Sequence, residues 1–117
     1  MDRKADESFP RCRRIVRGSD YRAIYDKGRR VDAGCFVLFG RSNQLSRHRL
    51  GLTVSRKVGG AVVRNRVKRL FREIFRRSAA DIPCHYDLVV NAKRECATAA
   101  YAALREEFLA AAHKVCR

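Results

Sequence analysis

A dense group of arginine and lysine side chains surrounds a Gly-Gly pair in the middle of the chain and could bind phosphate groups. An arginine fork can engage two oxygens of one phosphate at once, and a lysine ammonium adds a compact point charge. Gly59 and Gly60 allow a tight turn into a following helix. This segment predicts recognition of a polyanion, and its cations are Arg56, Lys57, Arg64, Arg66, Lys68, Arg69 and Arg72.

An amphipathic helix over residues 61–77 is needed to hold most of these cations in position. Its apolar residues recur at the helical spacing and form one narrow stripe, while arginine and lysine residues spread over the opposite side. One face could therefore enter a core while the other presents a row of fixed positive charges. Phe75 is an exception, because it projects within the basic arc, where it could cover a loop or stack on a base. The stripe consists of Val63, Val67, Leu70 and Ile74.

The charge distribution indicates that the basic helical face binds a partner. No acidic residue lies between Asp32 and Glu73, whereas a surface that only provides solubility would mix both signs. The formal net charge is +15 on 117 residues, which attracts nucleic acid strongly and makes binding sensitive to salt. The cations are spread over the whole exposed side of the helix, so they suit contacts with a nucleic-acid backbone better than base reading in the major groove of DNA.

Several other classes of protein fit the sequence poorly. No segment is long and apolar enough to span a bilayer, and the first residues lead into no apolar signal-like run, so we expect a cytoplasmic protein. Five cysteines form an odd set without short pair spacing, which argues against a disulfide framework. Cys84 and His85 could supply half of a metal site, but the other ligands would come from scattered positions, so we expect none.

A catalytic site for RNA cleavage within the protein is not expected either. Metal-dependent cleavage of a phosphodiester needs clustered carboxylates that hold cations, and the acid-free central interval offers none. His48 and His85 could approach each other in space and act without a metal, but no residue near them in the sequence orients either ring. The sequence therefore predicts a binding protein rather than a self-contained nuclease.

Two further helices and four strands are predicted around the basic helix. Ser19 or Asp20 can cap a short helix that ends at Gly28, and Thr98 can cap a final helix. The apolar side of this final helix consists of Tyr101, Leu104, Phe108, Ala111 and Val115.

The predicted strands cover residues 29–31, 35–39, 50–55 and 86–90. The second and third of these are expected to form an antiparallel hairpin, with Phe36 and Leu38 in the core. The resulting order, α-β-β-β-α-β-α, predicts a single α+β domain over residues 18–117, preceded by a basic, mobile arm over residues 1–17.

The residues around the Gly-Gly pair closely resemble the signature of the bacterial ribonuclease P protein subunit. The matching segments are Ser55-Arg56-Lys57-Val58-Gly59 and Ala61-Val62-Val63-Arg64-Asn65-Arg66-Val67-Lys68-Arg69-Leu70, in which the triplet Arg64-Asn65-Arg66 matches the named motif of that family. Similar segments follow in the right order and spacing from about residue 16 to residue 93.

The resemblance implies a four-stranded mixed sheet with a left-handed βαβ crossover through the basic helix. It also implies a subunit of an endoribonuclease, in which the RNA subunit performs the Mg²⁺-dependent cleavage that removes the 5′ leader from precursor tRNA. The partners would be the ribonuclease P RNA and precursor tRNA, with no membrane and no small-molecule substrate. The protein itself would carry no catalytic residue, metal or cofactor.

Three groups of contact residues follow from the resemblance and from the residue types. Arginine and lysine suit phosphate contacts, and aromatic rings beside cations hold single-stranded nucleic acid by stacking on its bases. The expected contacts with the RNA subunit are Arg64, Asn65, Arg66, Lys68, Arg69 and Arg72. The expected leader-binding cleft consists of Tyr21, Tyr25, Phe39, Arg56 and Lys57, and additional phosphate contacts are expected from Arg11, Arg13 and Arg14.

Some assignments stay open at the level of sequence. The three cleft aromatics could be ordinary core residues, Arg56 and Lys57 could reach either the leader or the catalytic RNA, and Asn65 could either tie its side chain to backbone or touch a nucleotide. The whole chain could alternatively be a structural RNA-binding protein, such as a small basic component of the ribosome. The aromatic cleft and the motif over residues 55–70 favour ribonuclease P, because a structural role needs neither.

Overall fold

The structure, a computed structural model, describes residues 14, 15, 17–43, 48–82 and 85–116. In these ranges three α-helices and four strands follow one another in the predicted order, and none of the helices is long and apolar enough to cross a bilayer. The elements are α1 Gly18–Lys27, β1 Arg29–Asp32, β2 Phe36–Ser42, β3 Arg49–Thr53, α2 Ala61–Ser78, β4 Tyr86–Ala92 and α3 Tyr101–Val115, with short 3-10 helices at Ala79–Asp81 and Arg94–Ala97.

The four strands form one mixed sheet in the order β1-β2-β4-β3. β2 pairs with β1 and with β4 in antiparallel fashion, and β3 runs parallel to β4. The predicted hairpin between residues 35–39 and 50–55 is therefore wrong, because β4 lies between the two strands. β4 suits this central position because Leu88, Val89 and Val90 are completely buried, which requires cover on both faces. The chain passes from β3 to β4 through α2, and the left-handed sense of this crossover stays a prediction.

α2 and α3 pack against one face of the sheet and enclose the main core. Phe36 and Leu38 of β2 are completely buried there, as predicted. Leu104 and Phe108 of α3 are completely buried in the same core, which confirms the apolar side predicted for this helix. Each buried side chain of this size contributes about 1.5–3 kcal/mol through its removal from water.

The buried face of α2 is rotated relative to the predicted stripe. Val63 and Leu70 are only half-buried, whereas Phe71 and Phe75 are completely buried. The ring of Phe71 lies edge to face against Phe36, with centroids 5.1 Å apart. The expectation that Phe75 projects among the cations is therefore wrong, because the main core extends around this side of the helix.

Neither predicted helix cap is used. Ser19 and Asp20 lie in the first turn of α1, because the helix already begins before them. Thr98 follows the 3-10 helix Arg94–Ala97, which occupies the preceding chain and moves the start of α3 downstream. Gly28 ends α1, as predicted.

α1 packs against the opposite face of the sheet and forms a second, smaller core. The buried members of this small cluster are Ile15, Ile24 and Val89. The backbone N–H of Ile15 donates a 3.0 Å hydrogen bond to the carbonyl of Leu50, and Arg14 forms a parallel bridge to the same residue. The end of the predicted arm therefore lies along the outer edge of β3, which is a terminal strand of the sheet.

Candidate nucleic-acid interface

Three aromatic rings from α1 and β2 form a contiguous group on the small cluster. The ring centroids of Tyr25 and Phe39 are 4.9 Å apart in an edge-to-face arrangement, and those of Tyr21 and Tyr25 are 6.4 Å apart. All three side chains are half-buried, because one side of each packs against the small cluster. The structure thus brings the predicted cleft aromatics together and leaves part of each one accessible.

The hydroxyl group of Tyr25 is anchored to the sheet. It donates a 2.9 Å hydrogen bond to Oδ1 of Asn91 in β4, and it lies 3.1 Å from the hydroxyl of Thr53 in β3. Satisfying a phenol hydroxyl in this way lets its ring stay half-buried without an unpaired polar atom. Asn91 lies within β4, so its polar side chain serves the aromatic group rather than marking the end of the strand.

The ring of Tyr21 lies directly on β3 at Gly51. A Cβ atom at residue 51 would lie 2.7 Å from the Tyr21 hydroxyl oxygen, so the ring can occupy this position only because residue 51 is glycine. Burial raises the pKa of Tyr21, and a backbone hydrogen bond from Leu52 partly opposes this rise. Gly51 is thus a site residue that sequence reasoning missed, although a glycine inside a strand often signals a close approach.

Part of the basic face of α2 is occupied by contacts within the protein. Arg66 donates from Nη1 to the carbonyl oxygen of Ala97 at 2.9 Å, which ties α2 to the 3-10 helix before α3. Arg76 and Arg77 both form ion pairs with Glu73. Hydrogen bonds from Arg76 and then from Arg77 lower the pKa of this carboxyl group. These three arginines therefore have fewer donors available for a partner than their charge suggests.

Other residues of α2, the motif helix that carries Arg64-Asn65-Arg66, lack such partners. Lys68, Arg69 and Arg72 form no ion pair with the residues that the structure describes. Arg64 is half-buried, and its Nε is enclosed without a hydrogen-bond partner in the described ranges. Asn65 is exposed and its side chain bonds to no described residue, which favours a nucleotide contact over a structural role.

A pocket of about 200 Å³ lies at the outer edge of β3, between α1 and α2. Lys68 and Arg72 of α2 line one side of it, and Tyr21 and Arg14 line the side of α1 and the arm. We call it the β3-edge pocket, and its remaining lining residues are Ile15, Leu50, Gly51 and Leu52. The structure therefore places Lys68 and Arg72 next to the aromatic group, although the sequence assigned these two cations to the catalytic RNA and the aromatic group to the leader.

Arg56 and Lys57 are exposed in the turn that follows β3. The carbonyl of Lys57 accepts a 3.4 Å hydrogen bond from Nε of Arg94, which brings this turn next to the end of β4. Lys93 forms a 2.8 Å ion pair with Asp32, and this bond is the main cause of the lowered pKa of that carboxyl group. Sequence reasoning missed Lys93 and Arg94 as neighbours of the turn, because the contact requires β3 and β4 to run in parallel.

Arg49 is a structural cation rather than a free one. Its Nε and Nη2 donate to the two carboxylate oxygens of Asp87 at 2.8 and 2.6 Å. Asn43 donates to the same carboxylate at 2.8 Å, and the hydrogen bond with Asp87 raises the pKa of Arg49. The sequence places Arg49 in an acid-free interval, but the parallel register of β3 and β4 sets Asp87 directly beside it.

His48 and His85 do approach each other, with ring centroids 5.3 Å apart. His48 is buried, and its Nδ1 accepts a 3.1 Å hydrogen bond from the backbone N–H of Tyr86. One ring is thus held by the start of β4 and does not face solvent, so the pair lacks the accessible acid and base that RNA cleavage needs. Within the described ranges no group of three or more His, Cys, Asp or Glu residues could hold a metal ion.

The expected phosphate contacts of the arm are described only in part. Arg11 and Arg13 lie outside the described residues. Arg14 is exposed, and its backbone bridge to Leu50 brings it to the mouth of the β3-edge pocket.

Comparison with known proteins identifies the family. The profile of the Ribonuclease P family matches residues 9–116. The ribonuclease P protein component of Desulfovibrio desulfuricans is 42% identical over 113 residues, covering 93% of this chain and 87% of the relative, and that of Thermotoga maritima is 40% identical over 89 residues, covering 76% of each. A solved structure of the RNase P protein from Thermotoga maritima superposes with a TM-score of 0.80 at 32% identity, covering 87% of this chain and 96% of the other. The chain belongs to the ribonuclease P protein family.

Proposed function

We propose that this protein binds the catalytic RNA of ribonuclease P through the basic face of α2 and holds the single-stranded 5′ leader of precursor tRNA in the aromatic cleft. The observation that carries the proposal is the group of half-buried rings, Tyr21, Tyr25 and Phe39. Beside it lie Lys68 and Arg72, which form no ion pair with a described residue. The protein thereby assists the endonucleolytic removal of the leader that gives the mature 5′ end. Because its substrate would be precursor tRNA, we place this reaction in the cytoplasm.

Stacking on the cleft rings suits a single strand of any sequence. Each base that stacks on an aromatic side chain contributes about 1–3 kcal/mol to binding, and stacking does not depend on hydrogen bonds to the base edges. The rings are held by their packing on the small cluster and by the bond between Tyr25 and Asn91. Little side-chain freedom is therefore lost on binding, which favours affinity.

The exposed cations of α2 suit a folded RNA. Arg69 is exposed and has no ion pair with a described residue, and Asn65 lies beside it on the outer side of the helix. Each phosphate contact of this kind releases counterions, so assembly with the catalytic RNA should weaken steeply with salt. Arg56 and Lys57 lie at the end of β3, where they can follow the leader as it leaves the aromatic group.

Catalysis is assigned to the RNA subunit with its Mg²⁺ ions. Among the described acidic residues, Asp32, Glu73 and Asp87 each form an ion pair with a lysine or arginine. A carboxylate that is paired with a cation is a poor Mg²⁺ ligand, because the cation competes for its oxygens, and the described carboxylates form no cluster that could hold a metal ion. This arrangement supports a protein that binds and positions RNA while the metal ions are held by the RNA.

The alternative of a structural ribosomal protein is disfavoured by the family match. A ribosomal role also gives no use for an accessible aromatic group next to a basic pocket.

The test is reconstitution with purified ribonuclease P RNA and substrates whose leaders differ in length. We expect the protein to raise the affinity for precursor tRNA above that for mature tRNA, and the gain should grow with leader length until the cleft is filled. Equal affinity for mature and leader-bearing tRNA in the presence of the protein would remove the cleft assignment.

A further inference from the structure

The β3-edge pocket connects two surfaces that the sequence assigned to different RNAs. Tyr21 belongs to the expected leader cleft, whereas Lys68 and Arg72 belong to the expected contacts with the RNA subunit. All three side chains line one pocket of about 200 Å³. Their shared position raises the question of which RNA these two cations bind.

The chemistry of the pocket is that of an oxyanion site. Arg14, Lys68 and Arg72 supply three positive side chains, and none of the described residues that line the pocket carries a carboxylate. Between them lie Gly51 and Leu52 of β3, neither of which carries a charged side chain. Cations at two or more sides of a small cavity fit the oxygens of one phosphate group better than a flat surface does.

The orientation of Lys68 and Arg72 separates them from the rest of the motif helix. They lie one helical turn apart on the side of α2 that faces β3, next to the buried arc. Arg69 is exposed and lines no part of the pocket, and Arg66 reaches the other way, toward Ala97. Lys68 and Arg72 are therefore placed at the leader cleft, whereas Arg69 lies outside the pocket.

We propose that the β3-edge pocket binds one phosphodiester group of the precursor tRNA leader, with Lys68 and Arg72 as its ligands and Arg14 at its mouth. A flexible single strand can place one phosphate in a pocket while its neighbouring base stacks on Tyr21, whereas the backbone of a folded RNA cannot enter so readily. Lys68 and Arg72 are therefore leader-specificity residues, and Arg69 on the outer side serves assembly with the catalytic RNA. This inference rests on the proposed function.

The experiment compares three variants that each remove one positive charge from the same helix. Lys68→Gln and Arg72→Gln alter the pocket, and Arg69→Gln is the matched control outside it. For each variant, assembly with ribonuclease P RNA is measured first, and then the affinity of the holoenzyme for leader-bearing and for mature tRNA. Circular dichroism checks that the variants keep the fold. We expect them to do so, because these partly exposed side chains form no hydrogen bond with a described residue.

We expect Lys68→Gln and Arg72→Gln each to reduce the preference for leader-bearing over mature tRNA by about tenfold, the effect of one lost charge-assisted hydrogen bond. Assembly with the catalytic RNA should change less than about twofold in these variants, whereas Arg69→Gln should weaken assembly and keep the preference. The opposite pattern, weakened assembly with an unchanged preference in the pocket variants, would assign the phosphate to the catalytic RNA and overturn the inference. If the unmodified holoenzyme shows no preference at all, the proposed function fails before this inference is reached.

A second measurement locates the phosphate on the protein alone. Inorganic phosphate is titrated into the protein while the backbone amide signals of Gly51 and Leu52 are followed by NMR. We expect saturable shifts in the unmodified protein and in Arg69→Gln, and their loss in Lys68→Gln and Arg72→Gln. Equal shifts in all four proteins would show that the anion binds elsewhere and would contradict the pocket.

Discussion

Replacing Gly51 with alanine tests how far leader binding depends on the position of Tyr21. A Cβ atom at residue 51 would lie 2.7 Å from the hydroxyl oxygen of Tyr21, 2.8 Å from its Cζ and 2.9 Å from its Cε1. Real Cβ atoms essentially never approach a heavy atom so closely, so the ring must move away from β3. The movement also takes the ring off the small cluster on which it packs, so the free energy of unfolding should fall by about 1 kcal/mol.

The larger effect of Gly51→Ala should appear in leader binding. If the displaced ring no longer stacks on a leader base, about 1–3 kcal/mol is lost, which raises the Kd for precursor tRNA by about 5- to 150-fold. The assay is the Kd of the reconstituted holoenzyme for leader-bearing and for mature tRNA, together with urea unfolding of the free protein. The matched control is Gly18→Ala at the start of α1, where the same methyl group meets its nearest neighbour, Nη1 of Arg22, at 3.7 Å.

The double variant with Tyr21→Ala gives the sharpest form of this test. Because both changes remove the same stacking surface, their effects on leader affinity should not add, and Gly51→Ala should cost little once the ring is absent. Unchanged leader affinity in Gly51→Ala, while NMR shows the Tyr21 ring displaced, would refute the role given to this ring.

Three further predictions follow from the ion pairs and the tyrosine. Asp87→Asn removes the negative charge that pairs with the half-buried guanidinium of Arg49, so the free energy of unfolding should fall by about 3 kcal/mol in chemical denaturation. The control is Asp32→Asn, which removes an exposed ion pair. If Asp87→Asn cost no more than this control, the ion pair with Arg49 would have no structural role. Arg69→Ala should weaken assembly with the catalytic RNA and make the log–log salt dependence shallower by about one unit, and an unchanged slope would mean that this side chain faces water in the complex. Burial raises the pKa of Tyr21 above 10.0, so the unfolded chain releases this proton first and stability should fall as pH rises above that value. Tyr21→Phe should reduce this alkaline loss in urea midpoints, and an identical alkaline loss would exclude the tyrosine as its cause.

The helices and strands could be predicted because each one carries a local pattern. The period of the apolar residues in α2 and the run of apolar residues in β2 depend on neighbours within a few positions, and both elements occur where they were predicted. The cleft aromatics also came together as expected, since Tyr21 and Tyr25 lie one turn apart on α1 and the ring of Phe39 meets that of Tyr25.

The order of the strands could not be read from local patterns. Adjacent strands with a short link favour a hairpin, but β4 competes for the same position and is completely buried at Leu88, Val89 and Val90. The central place therefore goes to the strand that gains most from cover on both faces, which is a property of the whole sheet. The pairing of Arg49 with Asp87 was missed for the same reason, because it depends on the parallel register of β3 and β4.

The position of the core around α2 was also a matter of tertiary packing. An ideal helical projection identifies an apolar stripe, but the neighbouring helix and sheet decide how far around the helix the core extends. Phe71 and Phe75 bury more area than Val63 and Leu70, so the helix is rotated toward the larger rings. This rotation is what moves Lys68 and Arg72 toward β3 and creates the pocket beside Tyr21.

Photochemical cross-linking tests most directly whether the aromatic group holds the leader. A precursor tRNA with 4-thiouridine at single leader positions is bound to the reconstituted holoenzyme and irradiated, and the protein peptides that carry RNA are identified by mass spectrometry. We predict attachment to peptides that contain Tyr21, Tyr25 or Phe39, with none on the exposed face of α3. Leader cross-links confined to α3, or absent from these three residues at every position, would contradict the central claim that the aromatic group holds the leader.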